Sequence, residues 1–293
     1  MDTIIECKHL THYYGERCIY EDLNFTIPKG RIVGLLGKNG TGKTTTINIL
    51  NGYLQPRSGD CLMFGQKAGK LTPAVKQKVA LLLEGHVQYS FMNIAQIEKF
   101  YASFYPAWDK EPFYELMGKL KIAPNQRISK MSCGQRSQVA LGLILAQNAD
   151  LLILDDFSMG LDPGYRRLFI DYLSDYVRAE DKTVFITSHI IQDMERLIDD
   201  CMILDYGKLL LQQPVAKFLI NFKRYRMQTD RAPDWNSMPV IHPEIMRNQS
   251  EFYSFAGITT IEKTLNEQGF APRNLKEESL TLEEAFIGLT GKY

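Results

Sequence analysis

The 293-residue sequence is poor in the features that mark secreted, membrane-spanning or strongly charged proteins. It has five cysteines and no C-x-x-C pair, which predicts neither a disulfide framework nor a zinc site. Its first residues, MDTIIECKHL, lack the apolar core of a signal peptide, and no apolar run approaches the roughly 20 residues that a membrane helix needs. Basic and acidic residues both number 34, so no net charge attracts nucleic acid or an anionic membrane. We therefore expect a protein of the reducing cytosol with no nucleic-acid partner.

A glycine-rich segment in the first fifth of the chain has the pattern of a phosphate-binding loop. Residues 31–50 read RIVGLLGKNGTGKTTTINIL: a short apolar strand at 32–36, a turn that fits G-x-x-x-x-G-K-[ST], and a helix from Lys43. Glycines let backbone N–H groups turn toward phosphate oxygens, and the helix start adds the positive end of its dipole. The motif predicts that Lys43 reaches the β- and γ-phosphates and that the Thr44 hydroxyl is a ligand of Mg²⁺. The expected nucleotide-binding residues are Gly37, Asn39, Gly40, Gly42, Lys43, Thr44 and Thr45.

A second candidate element is the segment DLLILDD, in which an apolar run ends in two carboxylates. Residues 151–154 read as a buried strand, and folds with this phosphate loop use an aspartate at the end of such a strand to hold Mg²⁺. Asp155 fits that role. Asp156 follows it, at the position from which a general base would meet an attacking water. Alone, the segment is better explained as a buried strand with a capping acid; together with the phosphate loop upstream, it favours a site.

Three further motifs complete an ordered series. MSCGQRS begins a predicted helix, GLD follows the paired acids, and a lone histidine, His189, ends the strand-like VFITSH. The whole order, over about residues 3–215, resembles the ATP-binding-cassette (ABC) ATPases. The resemblance implies an α/β fold: a P-loop NTPase (RecA-like) core with an antiparallel β subdomain and a helical subdomain at about residues 86–147.

The resemblance also implies roles for residues outside the phosphate loop. Tyr14, in YYG, is similar to the aromatic residue that stacks on adenine, with Tyr13 as the alternative. His189 is similar to the switch histidine that contacts the γ-phosphate and the attacking water. Ser132, Gly134 and Gln135 resemble the signature motif, which caps the γ-phosphate bound by the opposite subunit. Gly160, Leu161 and Asp162 resemble the loop that communicates across the dimer. Each ATP would then need a second nucleotide-binding subunit, in a homo- or heterodimer.

The sequence departs from the family pattern in three places, one of them a pair of adjacent residues. Cys133 stands where the signature commonly has its first glycine. Glu84, in LLLEGH, stands where a glutamine usually meets both Mg²⁺ and the permease; it keeps an oxygen ligand near the reaction, and an exposed loop glutamate is the alternative. Asp156 and Phe157 replace the usual glutamate and proline. Aspartate is about 1.5 Å shorter, and a misplacement of roughly 1 Å can cost on the order of 10²-fold in rate. One expectation is therefore slow hydrolysis, and the other is an ordinary rate restored by a local backbone shift.

The remaining sequence indicates helices and then a separate C-terminal segment. NIAQIEKFYASFY has apolar residues at helical spacing, and we expect its aromatic residues in a core rather than on a contact surface. Farther on, FKRYRMQT and EFYSFAG read as strands, and two helices are predicted to start at capping boxes, Thr259 with Glu262 and Thr281 with Glu284. These patterns divide the chain into a cassette at 1–215 and a small α/β appendage at 216–293. The appendage resembles the C-terminal extensions of exporter cassettes whose permease is a separate polypeptide.

The sequence therefore predicts the ATPase subunit of an export-type ABC transporter, with ATP and Mg²⁺ as its ligands. It would couple ATP-driven dimerisation to a separate multi-span permease, at the cytoplasmic face of the cell membrane. The alternative is an ATP-gated clamp or regulatory cassette that scarcely hydrolyses. A cassette that works on ribosomes or DNA is disfavoured, because such relatives carry two cassettes or long coiled-coil insertions and this chain has neither, nor a basic tract.

Overall fold

The computed structural model describes residues 2–83, 89–157, 161–229, 231–270 and 273–292. The chain divides into two compact units, Met1–Gln212 and Gln213–Tyr293. Two of the residues singled out above, Glu84 and Gly160, lie outside the described residues.

The first unit contains two sheets and the helices that cover them. Its strands are β1 (Thr3–Tyr14), β2 (Arg17–Pro28), β3 (Ile32–Gly37), β4 (Ser58–Met63), β5 (Gln66–Lys67), β6 (Val79–Leu82), β7 (Leu151–Leu154), β8 (Thr183–Thr187), β9 (Asp200–Asp205) and β10 (Lys208–Pro214). Its helices are α1 (Lys43–Leu50), α2 (Pro73–Lys76), α3 (Ile94–Ala102), α4 (Glu111–Lys119), α5 (Cys133–Ala146), α6 (Pro163–Ala179) and α7 (Ile191–Leu197), with a 3₁₀ turn at Ile128–Lys130.

The six-stranded sheet brings the predicted motifs to one edge. Its order is β10-β9-β3-β8-β7-β6, and the pairs β3–β8, β7–β8, β6–β7 and β3–β9 are parallel. Strands β7 and β8 are buried along their whole length, as expected for parallel strands that are covered on both faces. Because β3, β8 and β7 are neighbours, the segments that follow their carboxyl ends meet: the phosphate loop, His189 and the paired aspartates.

The four-stranded antiparallel sheet, in the order β2-β1-β4-β5, packs on the same core. Buried side chains of this sheet, of α1 and of the six-stranded sheet form one cluster, which includes Leu10, Ile27, Ile47, Leu35 and Ile153. Strand β1 ends at Tyr14, so this packing carries the candidate adenine-binding residue toward the phosphate loop.

The helical part follows the predicted pattern in its aliphatic residues but not in all its aromatic residues. Ile94 and Ile97 are buried, as the spacing predicts. Phe91 and Phe104 are 70% and 61% exposed, so the expectation that the aromatics lie in a core is wrong for Phe104. Phe104 is exposed because α3 ends at Ala102, so the helical spacing does not extend to Phe104. Within the described part of the chain, no helix has both the length and the apolar character to cross a bilayer.

The second unit is a four-stranded antiparallel sheet with its own core. Its elements are α8 (Val215–Asn221), β11 (Lys223–Gln228), β12 (Ile241–Met246), β13 (Gln249–Ser254), α9 (Ile258–Glu267), β14 (Arg273–Glu278) and α10 (Leu282–Thr290), with a 3₁₀ turn at Trp235–Ser237. The strand order is β12-β13-β11-β14, and the core holds Tyr225, Met227, Phe252, Ile261 and Leu265.

One of the two capping boxes predicted in this unit is correct. Thr281 accepts a hydrogen bond from the Glu284 N–H at 3.2 Å, and the Glu284 carboxylate accepts from the Thr281 N–H at 3.0 Å. The box at Thr259 is wrong, because α9 starts two residues earlier, with Gly257 at its N-cap. Thr259 therefore lies inside the first turn of the helix rather than before it.

Candidate functional site

The phosphate loop between β3 and α1 depends on glycines with positive φ. Gly40 has φ 79° and Gly42 has φ 102°. Gly42 also has no room for a side chain: a Cβ would lie 2.7 Å from Ile19 Cγ2 and 2.9 Å from the Tyr20 ring. The loop is thus packed tightly against β2 at the start of α1, where N–H groups have no partner within the helix and suit an anion.

The Lys43 amine lies in the same loop. Its Nζ donates hydrogen bonds to the Gly37 carbonyl at 2.7 Å and the Lys38 carbonyl at 3.0 Å. Burial lowers the pKa of Lys43, while the nearby carboxylates of Asp156 and Asp155 act in the opposite direction. A phosphate anion beside this amine would further favour its charged form.

Two oxygen-bearing side chains face each other at the end of β7. The Thr44 hydroxyl and Asp155 Oδ1 are 3.5 Å apart, and Asp155 is only 2% exposed. Mg²⁺ in nucleotide sites binds through one or two protein oxygens and completes its shell with phosphate oxygens and water. The Thr44 hydroxyl and the Asp155 carboxylate are oxygen groups of that kind, so the two residues fit a magnesium ion.

Thr187, at the end of β8, joins the two aspartates. Its hydroxyl donates to Asp155 Oδ1 at 2.6 Å and accepts from the Asp156 N–H at 3.0 Å. These two bonds fix the orientation of the Asp155 carboxylate and the position of the Asp156 backbone. Thr187 belongs to none of the predicted motifs, although its place two residues before His189 in ITSH could have suggested it.

Asp156 is paired with His189 in a strained backbone position. Asp156 Oδ1 and His189 Nδ1 are 2.7 Å apart. Asp156 has φ 44°, a left-handed conformation that is uncommon for a residue with a side chain. Such strain is concentrated at functional sites, where surrounding contacts hold it in place. The arrangement presents a carboxylate oriented by an imidazole, next to the buried Asp155.

Tyr14 lies at the opening of this region. It is 49% exposed, and its hydroxyl is 3.5 Å from Thr45 Oγ1. Its ring meets the His12 ring edge to face, with centroids 4.9 Å apart. Tyr13 lies instead against the Arg57 guanidinium, 5.2 Å from the ring centroid. Successive strand residues point to opposite faces, which favours Tyr14 over Tyr13 for contact with a base.

A single cavity of about 270 Å³ joins most of the predicted residues. The predicted residues that line it are Tyr14, Asn39, Gly40, Gly42, Lys43, Thr44, Thr45, Asp155, Asp156 and His189. Three lining residues were not predicted: Arg17, Ile19 and Thr187. Arg17, the first residue of β2, donates to the Gly40 carbonyl of the phosphate loop at 3.3 Å, a long-range contact that no local sequence signal marks.

The predicted signature residues and Asp162 lie elsewhere, at the starts of two helices. Ser132 and Gln135 form a capping box on α5, and Asp162 caps α6 by accepting from the Gly164 and Tyr165 N–H groups. A Cβ on Gly134 would lie 2.5 Å from the Tyr165 ring, so the two helix starts are in close contact. None of the four predicted residues lines the cavity described above.

Comparison with known proteins gives the family. The family model for ABC transporters matches residues 20–158. The chain is 31% identical over 212 residues to the uncharacterized ABC transporter ATP-binding protein YhcH of Bacillus subtilis (strain 168), which covers 72% of this chain and 70% of the relative. The chain belongs to the ABC transporter family. This ABC protein is also 30% identical over 217 residues to the bacitracin transport ATP-binding protein BcrA of Bacillus licheniformis, covering 73% of the chain and 71% of the relative.

A solved structure of an ATP-binding subunit of an ABC transporter has the same fold. It matches with a TM-score of 0.64 at 24% identity, over 74% of this chain and 92% of that chain. The predicted fold class, a P-loop α/β cassette with an antiparallel subdomain, is therefore confirmed. The chain is an ATP-binding subunit of an ABC transporter.

Proposed function

We propose that this ABC subunit hydrolyses ATP and couples ATP-driven dimerisation to a separate membrane permease in an export transporter. The observation that supports hydrolysis is the cavity where Lys43, Asp155 and the Asp156–His189 pair meet. Export is supported by the relative named for bacitracin transport. The subunit would then lie at the cytoplasmic face of the membrane, attached through the permease.

The phosphate loop would bind the triphosphate and orient it. Backbone N–H groups at the start of α1 bind β- and γ-phosphate oxygens, and the Lys43 amine turns from its two carbonyl partners toward the γ-phosphate. Thr44 and Asp155 would hold Mg²⁺, which neutralises phosphate charge when bound. Tyr14 would stack on the adenine ring.

Asp156 would be the general base. A water oxygen attacks the γ-phosphorus, the bond from that phosphorus to the β–γ bridging oxygen breaks, and the proton of the water passes to the Asp156 carboxylate. His189 orients this carboxylate through the bond to Oδ1, so that the second oxygen remains directed to the water. Thr187 keeps Asp155 and Asp156 in register during this step.

A second nucleotide-binding subunit would supply the signature residues. Ser132, Gly134 and Gln135 do not line the cavity of their own chain, so we propose that they cap the γ-phosphate bound by a partner. A mixing experiment tests this arrangement in a homodimer. Lys43→Ala and Ser132→Arg chains, each inactive alone, should regain about a quarter of wild-type turnover when mixed in equal amounts, because half of the dimers then have one intact site of two. A mixture that stays inactive argues for a heterodimer or for signature residues that act within one chain.

The exposed aromatic residues of the helical part are the surface we assign to the permease. Tyr89, Phe91, Phe100 and Phe104 form a chain of ring contacts with centroids 4.9 to 6.0 Å apart, and Phe91 and Phe104 project into solvent. Exposed aromatic clusters of this kind commonly mark contact surfaces. Co-purification with a multi-span membrane protein, lost in a Phe91→Ser, Phe104→Ser double variant that still binds ATP, would support the assignment.

ATP hydrolysis by the purified chain, beside Lys43→Ala and Asp156→Glu, tests the central proposal. We expect wild-type turnover of about 1 s⁻¹ or faster, the low end of typical enzyme rates, with Lys43→Ala at background. The second candidate function, a slow ATP-gated clamp, is favoured by the short Asp156 side chain and its bond to His189. Wild-type turnover near that of Lys43→Ala, with Asp156→Glu well above both, would establish the clamp instead.

A further inference from the structure

Two cysteines outside the nucleotide site face each other across adjacent strands. Cys7 of β1 is the register partner of Cys61 of β4, and their side chains are 1% and 5% exposed. Directly opposite residues of antiparallel strands have Cα atoms about 4.5 or 5.5 Å apart, depending on the kind of pair. A disulfide needs a Cα separation of about 4.4 to 6.8 Å, and the Cα spacing of either kind of pair lies within that range.

The two thiols are in contact, with unequal environments. Burial raises the pKa of Cys7, and the hydrogen bond with Cys61 raises this pKa further. The two sulfur atoms therefore lie next to each other.

Cys61 is also the cysteine with a route to solvent. It lies among the residues lining a surface cavity of about 380 Å³, between the end of α1 (Ile49, Gly52) and the β4–β5 hairpin (Lys67). This volume is within the range of small-molecule sites, roughly 300 to 1,000 Å³. Cys7 does not line the cavity. A reagent entering from solvent would therefore meet Cys61 before Cys7.

We propose that Cys7 and Cys61 form an oxidisable dithiol, with Cys61 as the attacking thiol, Cys7 as the resolving thiol, and a small disulfide of the oxidised-glutathione class as the oxidant. The Cys61 thiolate attacks one sulfur of the small disulfide, whose S–S bond breaks, and one small thiol leaves. Cys7 then loses its proton and attacks the Cys61 sulfur, which forms the Cys7–Cys61 bond and releases the second small thiol. The protein loses two protons and two electrons, and the oxidant is reduced to two thiols.

The modification ties two elements that flank the nucleotide site. Strand β1 ends at Tyr14, and β4 is the strand that follows α1, the helix of the phosphate loop. A disulfide between Cys7 and Cys61 would close residues 7–61 into a covalent loop. That loop would restrict the unfolded chain and raise the melting temperature. The exposed Cys18 is the register partner of Tyr13, so its reaction would stop at a mixed disulfide.

The test uses the full chain in its native state. The protein is incubated with oxidised glutathione, remaining thiols are blocked with N-ethylmaleimide, and the chain is digested without reduction for mass spectrometry. We expect a cross-linked pair of peptides that contain Cys7 and Cys61, and a melting temperature higher by several degrees that returns to its starting value after reduction. In Cys7→Ala, Cys61 should retain one glutathione; in Cys61→Ala, Cys7 should remain a thiol.

Two results would overturn the proposal. One is wild-type protein in which Cys18 and Cys133 carry glutathione while Cys7 and Cys61 are recovered as thiols. The other is a cross-link that joins either residue to a different cysteine. Both results come from the wild-type chain, so they decide the question even where a variant fails to fold.

Discussion

Asp156 Oδ1 and His189 Nδ1 are 2.7 Å apart, although 33 residues separate them in the chain. Asp156 follows β7 and His189 follows β8, and these strands are parallel neighbours. The contact is therefore a product of sheet order. It joins Asp156, which we propose accepts the proton of the attacking water, to His189, which we propose orients the Asp156 carboxylate.

His189→Ala should lower kcat by at least about 10-fold with little change in ATP affinity, because it removes the group that orients Asp156. His189→Gln, whose amide can donate to the same carboxylate oxygen, should recover part of the loss. Steady-state hydrolysis and a separate nucleotide-binding titration measure the two quantities. An unchanged kcat with a raised KM would place His189 in substrate binding instead.

Thr187→Val should reduce turnover by roughly 10-fold or more, because it removes the hydroxyl that joins Asp155 and Asp156. Thr183→Val is the matched control. It lies at the other end of β8, where its hydroxyl accepts from the Gly30 N–H at 2.9 Å. Both variants should lose about 1 kcal/mol of stability. If both lose turnover equally, the effect of Thr187 is on stability alone.

Tyr14→Ala should weaken ATP binding by about 10-fold, since stacking on one base is worth roughly 1 to 3 kcal/mol. Tyr14→Trp should retain the affinity. Tyr13→Ala removes an equal aromatic ring from the adjacent strand position and should leave ATP affinity nearly unchanged. Equilibrium binding of a fluorescent ATP analogue measures all three, and a larger loss at Tyr13 would transfer the base-stacking role to that residue.

The buried His12 should make stability depend on pH. It is 6% exposed, and burial lowers its pKa below the ordinary value of about 6.5. Below about pH 6.5 the unfolded chain takes up a proton at His12 that the folded chain does not. The free energy of unfolding therefore decreases as the pH is lowered, and it levels off below the pKa of His12 in the folded chain. His12→Phe should flatten this part of the curve of unfolding free energy between pH 7 and 5. Identical curves for the two proteins would contradict a buried neutral His12.

Thr281→Ala should destabilise the second unit by about 1 kcal/mol, because Thr281 caps α10 through the Glu284 N–H. Thr259→Ala is the control, since Thr259 lies within α9 and caps nothing. It should change stability by less than about 0.5 kcal/mol. Denaturant unfolding of each variant gives the comparison, and equal losses would show that the cap at α10 contributes nothing.

Local sequence signals predicted the parts of the fold that local chemistry determines. The phosphate loop was recognisable because Gly40 and Gly42 must adopt positive φ, and the strand at Leu151–Leu154 was recognisable as an unbroken apolar run. The capping box at Thr259 was wrong because the same residues are consistent with a start at Gly257, where the strand β13 and its turn end.

Contacts between distant segments were less predictable. Thr187 and Arg17 reach the cavity only because β8 lies between β3 and β7 and because β2 folds back on β1. Nothing in the immediate sequence of Arg17 distinguishes it from other strand residues, and Thr187 is marked only by its place two residues before His189. The roles of Ser132, Gly134, Gln135 and Asp162 in a second subunit's site stay predictions, as does the assignment of Glu84, outside the described residues.

The cap on α5 has a consequence for the sign of charge that this helix start can accept. Ser132 Oγ already accepts a hydrogen bond from the Gln135 N–H at 3.2 Å. The first N–H groups of an α-helix have no carbonyl partner within the helix. The exposed Ser132 has one further donor, its hydroxyl, since its N–H already donates to Gln135 Oε1 at 3.1 Å. We therefore expect this helix start to favour an anion over a cation before any second chain approaches it.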